Sequence, residues 1–420
     1  MSRIAVVGSG IAGLGSAWLL SQRHEITLYE AANYFGGHTH THAIELGGVE
    51  YAVDSGFIVF NPQHYPLLSK LFAQLGVAAQ PTTMSFSVHE ARSGLEYNAG
   101  SLGGLFCQPG NLASPRFWRM LGDLRRFYRQ APQVLADAAQ AQLTLGEFLQ
   151  RHGYSDVFRD AHLVPMASAL WSSPSQRILQ FPMRQLIGFM ANHHMLQISG
   201  RPQWQVVQGG SNSYVRALRS RWRVHERIGT PVRSVQRLSQ GVSVLTEADS
   251  DADAQHYDHV VLACHADDAL RLLNDASAAE REILGAIAYQ DNDTVLHTDA
   301  RVLPRNRRAW AAWNAHVPAD PDAPCTVSYW MNALQSIASP QPFIVSLNRS
   351  DDIDPAKVLR RMRYRHPLQT HTSVAAQARK GEIQGQRGTW FAGAGWGFGF
   401  HEDGLRSAVD VAAGLGVPWP

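Results

Sequence analysis

The apolar residues at the start of the chain change their spacing twice within thirty positions. Residues 3–7 form a β-branched, apolar run typical of a buried strand, and residues 11–20 continue with a pattern typical of a buried helix. Residues 26–29 are again an apolar run of strand type. The pattern therefore predicts a strand, a helix and a second strand, with a tight turn over residues 8–10.

Farther along, stretches with the spacing of strands alternate with stretches with the spacing of helices. The chain between residues 114 and 195 has mostly helical spacing, and a C-terminal helix is predicted to begin near Gly404. The other predicted helices are residues 65–75 and 213–221, and the other predicted strands are residues 84–88, 204–207, 231–235, 242–245, 257–263, 294–297, 326–331, 343–347 and 389–394.

Pieces with the pattern of a nucleotide-binding α/β unit stand at the start, in the middle and at the end of the sequence. This order predicts an α/β fold with a discontinuous Rossmann-type domain made of residues 1–81, 205–265 and 386–420. We expect the second domain, residues 82–204 and 266–385, to be an inserted α+β domain with a mixed sheet and helices that binds substrate.

The turn between the first strand and the first helix has the spacing G-x-G-x-x-G at Gly8, Gly10 and Gly13. Gly8 permits a tight turn, Gly10 lets the backbone approach a pyrophosphate, and Gly13 lets the helix pack closely on the strand. The helix N-terminus offers free N–H groups to phosphate, and Glu30, after the second strand, has the place of a ribose ligand. The motif predicts dinucleotide binding; the alternative is a glycine-rich turn in another kind of α/β domain.

Length, charge and cysteine content narrow the class of protein. The chain has 420 residues, enough for two domains, and a net charge of only +2, which gives no reason to expect nucleic acid as a partner. Cys107, Cys264 and Cys325 lie far apart, so we expect no disulfide framework and a cytoplasmic protein. A strand that begins at residue 3 leaves no room for a signal peptide, and we expect any membrane contact to be peripheral, at the inner face.

Four blocks of the sequence together resemble a known superfamily. The blocks are residues 7–13 with Glu30, the pair Gly36-Gly37, residues 260–263 after a strand that begins near Val232, and residues 391–404. In this order they resemble the flavin-containing amine oxidase, protoporphyrinogen oxidase and phytoene desaturase superfamily over essentially the whole chain. The resemblance implies FAD as the cofactor and hydride transfer to N5 of its flavin. Two positions depart from the usual pattern, with His38 in place of arginine and Ala394 in place of an acid.

The resemblance also implies which residues contact the FAD. The backbone of Val232 would contact adenine, and the C-terminal block would contact the ribityl chain and the flavin ring. A helix N-terminus in that block would stabilise negative charge on the flavin. The full set of expected contacts is Gly8, Ser9, Gly10, Ile11, Ala12, Gly13, Glu30, Ala31, Gly36, Gly37, His38, Thr39, His40, Phe57, Val232, Ala263, Gly393, Ala394, Glu402, Asp403, Gly404 and Leu405.

Within the superfamily, four strings resemble one bacterial branch: GGHTHT at 36–41, SYWMN at 328–332, His366-Pro367, and WGFGFHEDG at 396–404. That branch is found alongside cyclopropane-fatty-acyl synthase-like methyltransferases and includes desaturases on the route to furan fatty acids. The resemblance implies dehydrogenation of an unsaturated, methylated fatty acyl chain, free or esterified in phospholipid. The alternatives are an FAD-dependent amine oxidase and a flavin-bound binding protein without turnover.

Residues near the expected flavin are candidates for catalysis and for the substrate channel. His401 and Glu402 stand in the block that faces the flavin, where one of them would act as a base or both would form a structural cap. His38, His40 and His42 alternate, and we expect them at the pyrophosphate rather than on a metal ion, so no metal is predicted. The channel candidates, for which core packing is the alternative, are Ile58, Leu170, Trp171, Tyr329, Met331 and Trp396.

Residues 116–129 combine five arginines with many large apolar residues. At about 100° per residue, Phe117, Leu121, Leu124 and Tyr128 share one face, which predicts a basic amphipathic helix. Such a helix either rests with its apolar face on anionic lipid or is an ordinary helix of the substrate domain with a solvated basic side. The sequence therefore leaves three partners open: a lipid or fatty acyl substrate, a membrane surface, and a second copy of the chain in a homodimer.

Overall fold

The computed structural model describes residues 1–171, 173–197, 200–320 and 325–419. The strands, in chain order, are β1 Arg3–Val7, β2 Glu25–Tyr29, β3 Thr41–Leu46, β4 Val49–Asp54, β5 Val59–Phe60, β6 Ala79–Thr82, β7 Phe86–Glu90, β8 Leu95–Asn98, β9 Trp204–Val207, β10 Val224–Arg227, β11 Val232–Arg237, β12 Val242–Thr246, β13 Gln255–Tyr257, β14 His259–Leu262, β15 Tyr289–His297, β16 Trp313–Val317, β17 Thr326–Trp330, β18 Ile344–Leu347, β19 Val358–Pro367 and β20 Thr389–Phe391.

The α-helices, in chain order, are α1 Ile11–Leu20, α2 Pro66–Leu75, α3 Leu102–Leu105, α4 Gly110–Ala113, α5 Pro115–Gln130, α6 Ala138–Ala141, α7 Leu145–Arg151, α8 Asp156–Phe158, α9 Val164–Trp171, α10 Ser175–Leu179, α11 Met183–Asn192, α12 Asn212–Arg219, α13 Ala266–Leu272, α14 Ala278–Gly285, α15 Met331–Gln335, α16 His371–Ala378 and α17 His401–Gly414.

The first sheet is wholly parallel and takes its strands from three separate parts of the chain. Its strand order is β10-β2-β1-β14-β20, and Ala5 lies opposite Thr27 on one side and Val260 on the other. Ile4 packs into a core that includes residues of α1 and α17, whereas Ala5 packs into a core on the opposite face. Both faces are covered, as a parallel sheet requires. The predicted α/β class and the discontinuous Rossmann-type sheet are confirmed.

The second large sheet is mixed, with the order β19-β15-β18-β17-β16-β7-β8. Its neighbouring strands are antiparallel except for β16 and β7, which pair in parallel. Val88 and Ala315 of this sheet share one apolar core with Phe117, Phe158 and Leu186 from the helices. All seven strands lie within the two segments that we propose as the substrate domain.

The C-terminal helix differs from its prediction in where it starts. Helix α17 begins at His401, three residues before Gly404. The Asp403 carboxylate accepts the N–H of Phe400 at 3.0 Å and so caps the first turn. The first turn of α17 therefore contains His401, Glu402 and Asp403, which precede the predicted start of the helix.

Helix α5 confirms the predicted basic amphipathic helix, but its apolar face is packed against the rest of the protein. Phe117, Met120 and Phe127 are buried in the core of the proposed substrate domain, and Leu121 packs against that core. This is the behaviour of an ordinary domain helix, so the apolar face named above is not a surface that lipid can reach. Among the described helices, none is long and apolar enough to cross a bilayer.

Candidate functional site

The N-terminus of α1 has the shape of a phosphate site. A Cβ atom on Gly13 would lie 1.8 Å from the carbonyl oxygen of Gly8, and one on Gly8, at φ +99°, would lie 2.9 Å from that of Ala263. At Gly10, by contrast, no described atom lies within 4 Å of the Cβ position. Among the described residues, no side chain caps the first turn, so the N–H groups of Ile11 and Ala12 remain available to a pyrophosphate, whereas the N–H of Ser9 donates to Glu30.

Glu30 is held at the end of β2 by backbone donors. Its carboxylate accepts the N–H of Ser9 at 2.9 Å and the N–H of Ala32 at 2.8 Å. Ala31 stands between Glu30 and Ala32 in the sequence. The N–H of Thr230 donates to the Glu30 carbonyl oxygen at 2.8 Å, two residues before Val232. Glu30, just after β2, and the segment that leads into β11 therefore lie side by side, which fits neighbouring contacts to ribose and adenine.

The Gly36-Gly37 loop crosses directly over the first glycine turn. The N–H of Gly36 donates to the Ser9 carbonyl oxygen at 3.1 Å, and a Cβ atom on Gly37, at φ +57°, would lie 3.0 Å from the Gly10 Cα. The buried hydroxyl of Thr39 lies 2.9 Å from His401 Nε2. The loop thus joins the phosphate site to the C-terminal block.

The C-terminal block closes the same edge of the parallel sheet. A Cβ atom on Gly404 would lie 2.7 Å from the Ile11 side chain, so the N-termini of α17 and α1 meet. The N–H of Gly393, just before Ala394, donates to Ser407 Oγ at 2.8 Å. Two helix N-termini and two glycine turns at one edge fit an extended FAD.

Two of the expected FAD contacts in this block have side chains with structural roles. Leu405 is fully buried and packs against Gly15 between α1 and α17, and the Asp403 carboxylate caps α17. Burial raises the pKa of Asp403 to about 6. The backbone of these two residues remains available to a cofactor, so their contact with FAD stays a prediction.

A cavity of about 460 Å³ begins at His38, Phe57 and His401, beside the loop described above. Four of the predicted channel residues line it, and the others do not. The lining residues are Ile58, Leu170, Trp171 and Tyr329.

Met331 and Trp396 are the two incorrect channel assignments. The chain leaves β17 after residue 330, and Met331, as the first residue of α15, is fully buried in a core with Leu334 and Phe343. Trp396 packs against a different core, with the Lys380 ammonium 5.9 Å from its ring. Both are packing residues. Met331 lies beyond β17, where the alternation that points Tyr329 into the cavity ends, and Trp396 lies in a separate turn of the C-terminal block.

His401 lies in the cavity wall as a neutral, hydrogen-bonded side chain. Its ring stacks on Phe57 with 3.7 Å between centroids, and its Nε2 also lies 3.3 Å from the Tyr214 hydroxyl. Burial lowers the pKa of His401 to about 3. A group with so low a pKa is a weak base at neutral pH, so His401 is suited to shaping the wall rather than to accepting a proton.

Strand β19 adds two cavity residues to which the sequence analysis gave no role, Tyr364 and His366. The Asn292 amide, which accepts a hydrogen bond from Asn348 at 2.7 Å, donates to His366 Nδ1 at 2.9 Å. Burial lowers the pKa of His366 to about 4, so the ring is neutral and carries its proton on Nε2. The alternation of residues 364 and 366 in one strand is the signal that would have found them.

The three alternating histidines separate in the structure. His38 lies in the cavity wall, 5.2 Å between centroids from His366, and its pKa is lowered well below the usual value by burial. The rings of His40 and His42 are 4.0 Å apart, and His40 also stacks on Tyr34. His40 and His42 do not line the cavity that His38 lines, so the three side chains do not all face the same space, and their placement at the pyrophosphate stays a prediction.

Glu402 is not placed to act as a base. Its carboxylate accepts the N–H of Leu67 at 3.0 Å and the N–H of Leu68 at 3.1 Å, in the first turn of α2. Residue 402 does not line the cavity. Glu402 caps α2 and ties it to α17, which corrects its catalytic assignment, whereas its contact with FAD through the backbone stays a prediction.

We expect Glu402→Ala to lower the free energy of unfolding by about 1–3 kcal/mol, because two backbone N–H groups, that of Leu68 buried and that of Leu67 partly buried, lose their acceptor. The rate of flavin reduction per bound FAD should stay unchanged. Urea unfolding and stopped-flow flavin absorbance measure the two quantities. Glu402→Gln keeps an acceptor oxygen and should lose less stability. A slower flavin reduction at unchanged stability would restore Glu402 as a catalytic residue.

Comparison with known proteins agrees with this arrangement. The family described as flavin containing amine oxidoreductase matches residues 11–296. The CLA-producing fatty acid isomerase from P. acnes has the same fold, with a TM-score of 0.67 at 16% identity over 99% of this chain and 98% of that one. A putative protoporphyrinogen oxidase from Exiguobacterium sp. 255-15 gives 0.67 at 17% identity over 98% of both chains. Cyclohexylamine oxidase from Brevibacterium oxydans IH-35A gives 0.68 at 15% identity over 99% of both.

Proposed function

This chain belongs to the flavin-containing amine oxidoreductase family, with FAD as its cofactor, and we propose that it oxidises a long fatty acyl chain with an anionic end. FAD, when bound, supplies a hydride acceptor at flavin N5, so that loss of a hydride and a proton from adjacent carbons leaves a new double bond. The substrate is an unsaturated, methylated acyl chain, as the resemblance of the sequence to a fatty-acid-modifying branch suggests. The residues of the cavity support this substrate class.

The observation that carries the proposal is the charge of the cavity lining. Among the described residues that line it, Arg201 is the only permanently charged side chain, and no carboxylate is present. A cationic amine entering this cavity would lose its hydration without meeting an anion, which is costly. An acyl chain gains about 0.8 kcal/mol for each methylene buried against apolar walls. The lining therefore favours an acyl substrate over an amine.

The position of Arg201 fits an anionic end group. Gly100, Arg201 and Gln203 line the cavity and are exposed, so the cavity opens to solvent between them. The guanidinium at this opening can pair with a carboxylate or a phosphate. The chain would then extend past Leu170 and Trp171 towards His38 and Phe57, beside the FAD site.

Anaerobic mixing of the FAD-loaded protein with candidate substrates tests the proposal. We expect bleaching of the visible flavin absorbance by methylated unsaturated fatty acids or by phospholipids that contain them, and none by amines. Bleaching by an amine alone would favour an amine oxidase. Persistent flavin colour with every compound would favour a binding protein without turnover.

Arg201→Gln is expected to raise the KM for a fatty acid anion about tenfold and leave kcat nearly unchanged, because one charge-assisted contact of about 1.4 kcal/mol is lost. Steady-state turnover with the free acid and with its methyl ester measures the effect, since the ester lacks the anion. The ester should show the same KM in both proteins. Arg184→Gln, an exposed arginine outside the cavity, is the matched control. An equal rise in KM for acid and ester would contradict the role of Arg201 as an anion contact.

A further inference from the structure

We propose that the surface around the cavity mouth docks on an anionic lipid bilayer. This inference rests on the proposed acyl substrate, since long acyl chains are held in membranes. We call this surface the rim face, and its residues are Leu102, Leu112, Trp118, Arg119, Arg125 and Arg129.

The apolar part of the rim face is exposed to a degree unusual for large apolar side chains. Leu102 is 76% exposed, Leu112 56% and Trp118 50%. The Trp118 indole N–H donates to the Leu112 carbonyl oxygen at 2.8 Å, and its ring lies 5.6 Å between centroids from Phe106. The ring is thus fixed at the surface, with an apolar body and a polar edge, the character of residues at membrane interfaces.

The basic part of the rim face follows from the orientation of α5. The core residues described above set its buried side. On the outer side, Arg125 and Arg129 each lie within about 20° of Trp118 and about 40° from each other. Arg116 and Arg126, on the same helix, pair with acidic side chains. Within the described residues, Arg119, Arg125 and Arg129 form no such ion pair, so their charge is free for an anionic surface.

The rim face is continuous with the cavity mouth at two points. Gly100, which lines the mouth, lies two residues before Leu102. On the other side, the positive charge of Arg201 acts on the hydroxyl of Tyr128 of α5, the neighbour of Arg129, and opposes the rise that burial causes in the pKa of Tyr128. A bilayer that contacts the rim face would therefore present its acyl chains and its anionic head groups at the opening. We assign the rim face to anionic lipid for two reasons: its continuity with the cavity mouth and the complementarity of its charge.

Vesicle co-sedimentation of the FAD-loaded protein tests the docking. We expect binding to vesicles of phosphatidylglycerol and phosphatidylcholine at low salt, weakening as salt rises, and little binding to phosphatidylcholine alone. Arg125→Glu/Arg129→Glu should weaken binding at least tenfold. Arg223→Glu/Arg281→Glu, which makes the same change of charge at two exposed arginines elsewhere, should bind as the wild type does. Equal binding by both double variants would overturn the proposal. An acidic protein would then be the partner that the rim face fits.

Turnover assays separate this inference from the proposed function. The rim-face double variant should reduce its flavin normally with detergent-dispersed fatty acid and lose activity only towards vesicle-embedded lipid. If no acyl lipid bleaches the flavin while the wild type still binds anionic vesicles, the substrate fails and the docking stands. If dispersed fatty acid bleaches the flavin and the wild type ignores anionic vesicles at low salt, the docking fails and the substrate stands.

Discussion

Replacing Gly10 by valine is expected to give a folded protein that no longer holds FAD. The Cβ position of Gly10 has no described atom within 4 Å, and its backbone, at φ −63°, suits any residue, so valine meets no clash within the protein. The same space lies in front of the uncapped N–H groups of α1, where the pyrophosphate must approach. We expect FAD affinity to fall roughly 100-fold or more, at least about 2.8 kcal/mol.

The flavin absorbance of the purified protein and an FAD titration followed by Tm measure this loss, since FAD that binds only the folded state raises Tm. Gly122→Val, at a glycine of α5 with an equally open Cβ position, should keep its flavin. Gly13→Val, which places Cβ 1.8 Å from a backbone oxygen, should damage folding as well. Stoichiometric FAD in Gly10→Val would show that the N-terminus of α1 is not the pyrophosphate site.

The parallel sheet could be predicted from the sequence because each of its central strands is apolar on both faces, as β1 and β14 show. The ends of the strands could not be predicted from the sequence. The predicted strand 257–263 divides in the structure, because Tyr257 belongs to β13 and pairs with Val242, whereas Val260 belongs to β14 and pairs with Ala5. Both residues are apolar, so the local pattern carries no information about which sheet takes each one.

The phosphate site was predictable because its glycine spacing is a motif contained within six consecutive residues, 8–13. The cavity was not, because its wall depends on sheet pairing between distant segments. Strand β19 brings His366 beside His38, and Arg201 stands in a segment without any motif. Glu402 was misassigned for the same reason: the N–H groups that its carboxylate caps belong to a helix far away in the sequence.

Acidification is expected to unfold the protein steeply between about pH 6.5 and 4, because its buried histidines are neutral. Burial lowers the pKa of His162, His193 and His297 to about 4, whereas histidine in an unfolded chain has a pKa of about 6.5. In this window the unfolded chain binds more protons than the folded one. Stability that is complete above pH 6.5 is therefore lost as the pH falls, by about 1.4 kcal/mol per pH unit for each histidine.

Two buried carboxyls act in the opposite direction. Burial raises the pKa of Asp54 and of Asp403 to about 6, so between about pH 4 and 6 the folded protein gains stability there as the pH falls. The histidines outnumber them, because burial lowers three further pKa values to about 4. These belong to His42, His316 and His366. With His401, whose pKa burial lowers to about 3, seven histidines oppose two carboxyls, and we expect a net loss of roughly 7 kcal/mol per pH unit at the steepest point.

The variant His162→Phe isolates one of these histidines. Its ring packs with Tyr97 and Phe158, its Nε2 has no partner within the described residues, and the Tyr97 hydroxyl keeps the Ala161 carbonyl oxygen as an acceptor. Phenylalanine should therefore fit and reduce the slope by about 1.4 kcal/mol per pH unit, measured by urea unfolding at stepped pH. His225→Phe, at an exposed histidine, should keep the wild-type slope. An unchanged slope in His162→Phe would mean that buried neutral histidines are not the source of the acid sensitivity.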